Sequence, residues 1–330
     1  MTHGAARHGA VLECLSNEGK VYRMSRFLRN VVGAGSIALA AALPAQAQPR
    51  PFSADFRSQQ VEVDGARLHV RVGGNGPAVV LLHGFGDTGD MWAPLATALA
   101  KDHRVVVPDL RGMGLSSKPA DGYGKKNQAG DIRAVLERLG IDKADVVGHD
   151  IGTMVAYAYA ARYPDKTTKL VVMDAPVPGV PPWEQIVRLP LLWHFDFGGA
   201  DAERLVKGRE RIYLDRFWND FAGDPRKVDE RTRAHYAKLY AQPGAMRASF
   251  AQFRSIRQDS EDNAESVKTK LTMPVLAIGG EKSFGANQAA VMRNAATNVT
   301  ELVVPGAGHW LMEEAPQVTV EAVQSFLKPR

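Results

Sequence analysis

The chain has 330 residues, 45% hydrophobic and 23% charged, which is ordinary globular composition with ample apolar material for a core and points to one large domain or a domain carrying an insertion. The formal net charge is +5, but residues 1–47 hold Arg7, Lys20, Arg23, Arg26 and Arg29 against Glu13 and Glu18, so three of those five charges belong to the first 47 residues. Basicity of that kind does not argue for nucleic-acid binding by the rest of the chain.

The N-terminal stretch reads as a Sec-type signal peptide. Arg26 and Arg29 precede an apolar run at 31–43, and Ala45-Gln46-Ala47 is a small-x-small cleavage site. The run is short for a bilayer span and Pro44 ends it, so no retained membrane anchor is expected. Met24, directly before the basic residues, is the expected true start. No Cys follows the run, which excludes a lipoprotein anchor, and no Arg-Arg pair suggests the twin-arginine route. Cleavage after Ala47 would also remove Cys14, the single cysteine, leaving a chain suited to the periplasm or the cell exterior.

Beyond the leader, two alternating runs flank Asp64-Gly65, a turn pair that predicts a β-hairpin. Buried-strand runs follow at 78–82, 104–108, 144–148, 170–173, 275–279 and 299–304. Helical patterns at 91–101, 127–139, 151–162, 288–296 and 318–327 lie among them. The alternation predicts an α/β fold with a mostly parallel, doubly covered sheet. Residues 176–270 contain no convincing strand and carry helical patterns at 201–218 and 229–240. They are expected to form a helical cap inserted between the sixth and seventh strands, dividing the core into 48–175 and 271–330.

The most informative stretch is Gly148-His149-Asp150-Ile151-Gly152, between an apolar strand and the helix predicted at 151–162. Small residues at both ends allow a strand–turn–helix elbow that lifts the central side chain above the sheet. Asp150 could instead be a plain helix N-cap. Read as a nucleophile, a carboxylate with a reference pKa of about 3.9 is ionised at neutral pH and needs no base to attack carbon. The product is an ester that a base-activated water must hydrolyse, which suits epoxides or carbon–halogen bonds. His309, in the Gly-rich loop after the last predicted strand, can be that base or an ordinary loop histidine.

Several motifs occur in one order: His83-Gly84-Phe85-Gly86, Asp109-Leu110-Arg111-Gly112-Met113-Gly114, the elbow, Met173-Asp174-Ala175-Pro176, Trp193-His194-Phe195, Tyr240-Ala241-Gln242-Pro243 and Gly306-Ala307-Gly308-His309-Trp310. The chain from about residue 60 to 327 resembles the α/β-hydrolase superfamily. Within it the chain resembles the Asp-nucleophile branch of epoxide hydrolases and dehalogenases, above all the secreted bacterial epoxide hydrolases of the Cif type.

The resemblance implies Asp150 as nucleophile, His309 as base, and the backbone N–H groups of Phe85 and Ile151 as an oxyanion hole. Many relatives place the relay acid after the seventh strand, where this chain reads Gly280-Glu281-Lys282-Ser283 with Ser in the slot. The acid is then Asp174, at the site used by Cif-type enzymes, or alternatively Glu281. His194 and Tyr240 fall where those enzymes carry a His/Tyr pair that assists ring opening. They could also be cap packing, and Trp193, Phe195, Tyr213, His235 and Tyr236 compete for the role.

Many haloalkane dehalogenases have Trp after the nucleophile, and fluoroacetate dehalogenases have Arg there and a second Arg at the position of Met154. Ile151 and Met154 can serve neither function. Fluoroacetate dehalogenases also have Trp where Phe195 stands.

His83 and His149, beside the motifs, and Asp109 and Arg111 are expected to brace loops. No zinc spacing, phosphate loop or dinucleotide fingerprint is present, since Gly33-Ala34-Gly35 falls in the leader, and no cofactor or metal is expected. The expectation is hydrolysis of a small apolar epoxide by water to a vicinal diol. The alternatives are a haloalkane or haloacid dehalogenase using the same ester, or a secreted effector acting mainly by protein binding. A homodimer is implied by the Cif resemblance alone.

Overall fold

The computed structural model describes residues 51–328, so the leader with Cys14, Met24 and the Ala47 cleavage site lies outside the described residues. The hairpin forms as its turn pair dictates. β1 (Arg57–Val63) and β2 (Ala66–Gly73) pair antiparallel with Val63 opposite Ala66, and Gly65 takes a φ of +67° that an L side chain would resist. β3 (Ala78–Leu82), β4 (Arg104–Pro108), β5 (Ala144–His149), β6 (Thr167–Met173), β7 (Val275–Gly280) and β8 (Val299–Val304) complete an eight-stranded sheet in the order β1-β2-β4-β3-β5-β6-β7-β8. β2 joins β4 antiparallel, and every pair from β4 to β8 is parallel.

Helices α1 (Ala93–Leu99), α2 (Lys125–Arg138) and α3 (Ile151–Arg162) follow β3, β4 and β5. The pattern at 91–101 is broken: a 3-10 turn at Gly89–Trp92 precedes α1, which carries Pro94 in its first turn, where a missing N–H is harmless. Between β6 and β7 no strand intervenes. There the chain forms α4 (Trp183–Ile186), α5 (Ala200–Val206), α6 (Glu210–Asp220), α7 (Glu230–Tyr240), α8 (Ala245–Arg254) and α9 (Ile256–Ser266). The single helix expected at 201–218 is two, because Gly208 turns left-handed at φ +75° between α5 and α6. The start of α7 is set by Asp229, whose carboxylate accepts the Thr232 N–H at 2.8 Å. After β7 come α10 (Asn287–Ala295), α11 (Leu311–Glu314) and α12 (Pro316–Leu327).

Alternate strand residues serve opposite faces, as the two-residue period requires. Val80 and Leu82 of β3 pack in one apolar cluster with Ile132 of α2, Val155 of α3 and Phe250 of α8. Val79 and Leu81 pack in the other with Leu95 of α1 and Val323 of α12. Each such fully buried side chain contributes on the order of 1.5–3 kcal/mol, and parallel pairing brings the C-terminal ends of β3, β5, β6 and β7 side by side. No helix among the described residues is long and apolar enough to cross a membrane.

Candidate active site

The site begins at the end of β5. Asp150 has φ 52° and ψ −122°, a conformation that costs a non-glycine residue about 1–3 kcal/mol. Its neighbours make that conformation possible. A Cβ on Gly148 would lie 2.2 Å from the Gly152 carbonyl oxygen, and one on Gly152 would lie 2.0 Å from that of Leu82, so neither position admits a side chain. The Thr153 hydroxyl, one turn into α3, lies 2.9 Å from the Gly148 carbonyl and accepts the Met173 N–H at 2.9 Å. It ties the elbow to β6.

The Asp150 carboxylate is oriented at both oxygens. Oδ1 accepts the Phe85 N–H at 2.7 Å, and the Ile151 N–H also serves the carboxylate. The oxyanion-hole pair expected from the sequence thus converges on one oxygen-rich group. Gly84 has to be glycine for this approach, since its Cβ would meet Asp150 Cβ at 2.3 Å. Oδ2 lies 3.7 Å from His309 Nε2. Burial pushes the Asp150 pKa up, while His149, the two N–H groups and Lys125 oppose the shift.

His309 Nδ1 lies 3.8 Å from Asp174 Oδ2, so the imidazole stands between the two carboxylates. Asp174 is held from its far side: its Oδ1 accepts the Phe284 N–H at 2.9 Å, and the Ser283 hydroxyl bonds it as well. Ser283 thus anchors Asp174 at the end of β6. Burial drives both members of the pair toward their uncharged forms, His309 down to about 4 and Asp174 up to about 7. Glu281, the alternative acid, is exposed and turned away; its Oε2 accepts the Gly306 N–H at 2.7 Å and secures the turn before His309.

The cap covers this constellation with aromatic rings. Phe85 packs edge-on against Phe217, Tyr240 and Phe253 at 4.9, 5.2 and 5.0 Å. His194 is buried, with Phe217 and Phe253 each 5.0 Å from its ring, and burial with the nearby Arg216 lowers its pKa to about 3. His194 is therefore neutral.

His194 and Tyr240 are engaged by different partners. The Tyr240 ring reaches the site, but its hydroxyl accepts the Gly86 N–H at 2.9 Å and donates to the Asp87 carbonyl at 3.0 Å. Phe253, which has no polar atom to offer, is the ring packed against His194 from α8. Of the competing cap residues, His235 pairs with Asp90 at 2.8 Å, and Tyr236 is buried beside Asp87. The Tyr213 hydroxyl is buried without a partner, on a ring 6.3 Å from Phe85.

The adjacent histidines hold backbone. His149 Nε2 bonds the His309 carbonyl at 2.8 Å, and His83 Nε2 accepts the Leu110 N–H at 2.9 Å. Arg111 grips Asp131 through Nε and Nη2 at 2.8 and 2.7 Å, and Asp109 accepts the Gly89 and Leu115 N–H groups, each at 2.9 Å. Two contributors carried no sequence motif: Phe253 and Arg216, whose Nη1 lies 3.3 Å from His194 Nδ1. Among the described residues no group of three His, Cys, Asp or Glu side chains is arranged to hold a metal ion.

A family model described as alpha/beta hydrolase fold matches residues 77–316. A soluble epoxide hydrolase of Corynebacterium sp. (strain C12) is 32% identical over 287 residues, covering 84% of this chain and 99% of that protein. A fluoroacetate dehalogenase of Burkholderia sp. is 28% identical over 82% of this chain and 94% of its own length. Among solved structures, the Cif epoxide hydrolase from Acinetobacter nosocomialis has a TM-score of 0.79 at 26% identity, covering 85% of this chain and 92% of that one. The chain belongs to the α/β-hydrolase superfamily, with epoxide hydrolases, one of them of the Cif type, among its relatives and structural neighbours.

Proposed function

We propose that this hydrolase opens a small apolar epoxide to a vicinal diol through an ester on Asp150. The observation that carries the reading is the Asp150 carboxylate itself, strained at the elbow with Oδ1 on the Phe85 N–H and Oδ2 toward His309. In the first step Oδ2 attacks an epoxide carbon and the carbon–oxygen bond of the ring breaks. Its electron pair goes to the ring oxygen, which accepts a hydrogen bond from neutral His194 and takes its proton from solvent. In the second step His309 Nε2 removes a proton from water, and the hydroxide adds to the ester carbonyl carbon. The carbonyl oxygen, former Oδ1, gathers negative charge against the Phe85 and Ile151 N–H groups. Collapse breaks the ester carbon–oxygen bond, the leaving alkoxide takes the proton from His309 to complete the diol, and the Asp150 carboxyl loses its remaining proton to solvent, balancing the proton taken up in the first step. Asp174 stabilises the imidazolium formed in between.

A halide leaving group would need a different set of donors. Ile151 and Met154 are both buried and apolar, and neither can bind a halide or a substrate carboxylate. Turnover of small epoxides, haloalkanes and haloacetates, measured side by side, tests the assignment. Diol formation from epoxides with no halide release supports it, and preferential halide release overturns it.

A further inference from the structure

We propose that Arg216 is a positioning residue for ring opening: its guanidinium fixes the His194 imidazole in the tautomer that carries the proton on Nε2. The inference rests on the epoxide reading for its catalytic consequence and on geometry alone for the tautomer. Arg216 Nη1 lies 3.3 Å from His194 Nδ1. A guanidinium has only donors, so the nitrogen facing it has to be the acceptor, and the imidazole proton is left on Nε2.

One competitor exists for a proton on Nδ1, the Leu191 carbonyl, which also lies within reach of the His194 ring. Arg216 occupies that carbonyl with Nη2–H at 2.6 Å, and a proton on Nδ1 would then point at the Nη1 donor. That carbonyl keeps a second lone pair, so it is the Nη1 donor facing Nδ1, and not the occupancy of Leu191, that excludes the wrong tautomer.

The guanidinium is itself fixed. Its Nε lies 3.2 Å from Asp220 Oδ2, and its carbon sits 5.0, 4.8 and 5.0 Å from the ring centroids of Trp193, Phe217 and Phe221. Those rings also wall His194, so the cation and the imidazole share one aromatic box. A fixed cation against Nδ1 disfavours imidazolium as well. The charged or titratable groups acting on His194 are Arg216 and, more weakly, His309, and both oppose its protonation.

Neutral Nε2–H offers a hydrogen bond to an oxygen that becomes negative as the epoxide opens. The opposite tautomer would present a lone pair there and repel it. Loss of Arg216 frees the ring to donate from Nδ1 to Leu191, while burial, the larger cause of its lowered pKa, keeps it neutral.

The test combines ¹⁵N NMR of histidine-labelled protein, with His194→Gln identifying the resonance, and single-turnover alkylation by an epoxide in Arg216→Met and Arg216→Lys. The wild-type spectrum should show neutral His194 with the proton on Nε2. Arg216→Met should slow alkylation about ten- to a hundredfold at pH 8 with KM nearly unchanged. The Arg216→Met spectrum should show the His194 proton moved to Nδ1. Arg216→Lys, which also has donors only, should keep it on Nε2 and recover much of the rate. A wild-type proton on Nδ1, or a deficit equal in both variants, would overturn the proposal. If Arg216→Met does not fold, the wild-type spectrum decides. Nε2–H in a protein inert to epoxides would support the Arg216 assignment while overturning the functional reading.

Discussion

Asp150 and Asp174 are the residues immediately after a paired register position on neighbouring strands, His149 of β5 opposite Met173 of β6, and both carry positive φ. Among the described residues they are the only two non-glycine residues that do, at 52° and 49°. Two adjacent strands therefore each end in a positive-φ residue presenting a carboxylate, and His309 faces one with Nε2 at 3.7 Å and the other with Nδ1 at 3.8 Å. Such strain persists only where the surrounding packing over-determines it.

Of the two acid candidates, Asp174 is the one this geometry favours. Asp174→Asn is expected to slow hydrolysis of the Asp150 ester by about 10² or more, because the imidazolium loses its partner, while alkylation is nearly unaffected. Glu281→Gln should change neither step by more than a few fold, since Glu281 Oε2 bonds the Gly306 N–H at the surface. Rapid-quench measurement of the two half-reactions separates the variants. The reverse ranking would move the acid role to Glu281.

The pH dependence follows from the direction of the shifts. Burial raises the Asp150 pKa above the usual carboxylate value and lowers that of His309 to about 4. Burial also raises the Asp174 pKa to about 7. Attack needs ionised Asp150, and ester hydrolysis needs neutral His309 beside ionised Asp174, so both steps weaken as pH falls. Hydrolysis of a preformed ester should decline as pH falls through about 7, with loss of the Asp174 charge, and cease near pH 4 as His309 protonates. Pre-steady-state rates of each step against pH test this. Ester hydrolysis at a constant rate from about pH 8 to about pH 5 would contradict it.

The position of the Tyr240 hydroxyl predicts a different phenotype from that of a free proton donor. Tyr240→Phe leaves the buried Gly86 N–H and the Asp87 carbonyl without partners, at a cost of about 1–3 kcal/mol each. The melting temperature should fall. Both half-reactions should slow, because the Phe85 N–H belongs to the same loop. Loss of alkylation alone, with unchanged melting, would instead identify Tyr240 as a donor to the epoxide oxygen.

We propose export to the periplasm or beyond, on the basic residues, apolar run and Ala45-Gln46-Ala47 of the leader. N-terminal sequencing of protein recovered outside the cytoplasm should begin at Gln48. A cytoplasmic chain retaining residues 31–43 would contradict the proposal.

The strands were legible because their signals are local. Runs such as Ala78–Leu82 and Arg104–Pro108 are apolar on both faces and occur in the structure at those bounds. The motif residues at the strand ends were legible for the same reason: a Gly-x-Asp-x-Gly elbow has its spacing written into five consecutive positions. The cap was harder to read. Its break at Gly208 was hidden in a continuous amphipathic pattern, and α8 and α9 were not anticipated. Its side-chain geometry depends on partners distant in the chain, Arg216 on His194 and Tyr240 on Gly86, which no local period encodes. Resemblance located His194 and Tyr240 near the site, and only packing decides what each polar atom faces.

The route of the oxygen atom tests the central claim most directly. If Asp150 attacks carbon, the first oxygen added to the substrate comes from its carboxylate and the water oxygen enters the protein. A single turnover in ¹⁸O-water should therefore release unlabelled diol and leave the label on Asp150. In His309→Ala the same epoxide should accumulate as a covalent adduct on Asp150, visible by mass spectrometry, since the carboxylate needs no base to attack. Asp150→Asn should form no adduct. Labelled diol on the first turnover, together with no adduct in His309→Ala, would show direct attack by water and contradict the ester mechanism.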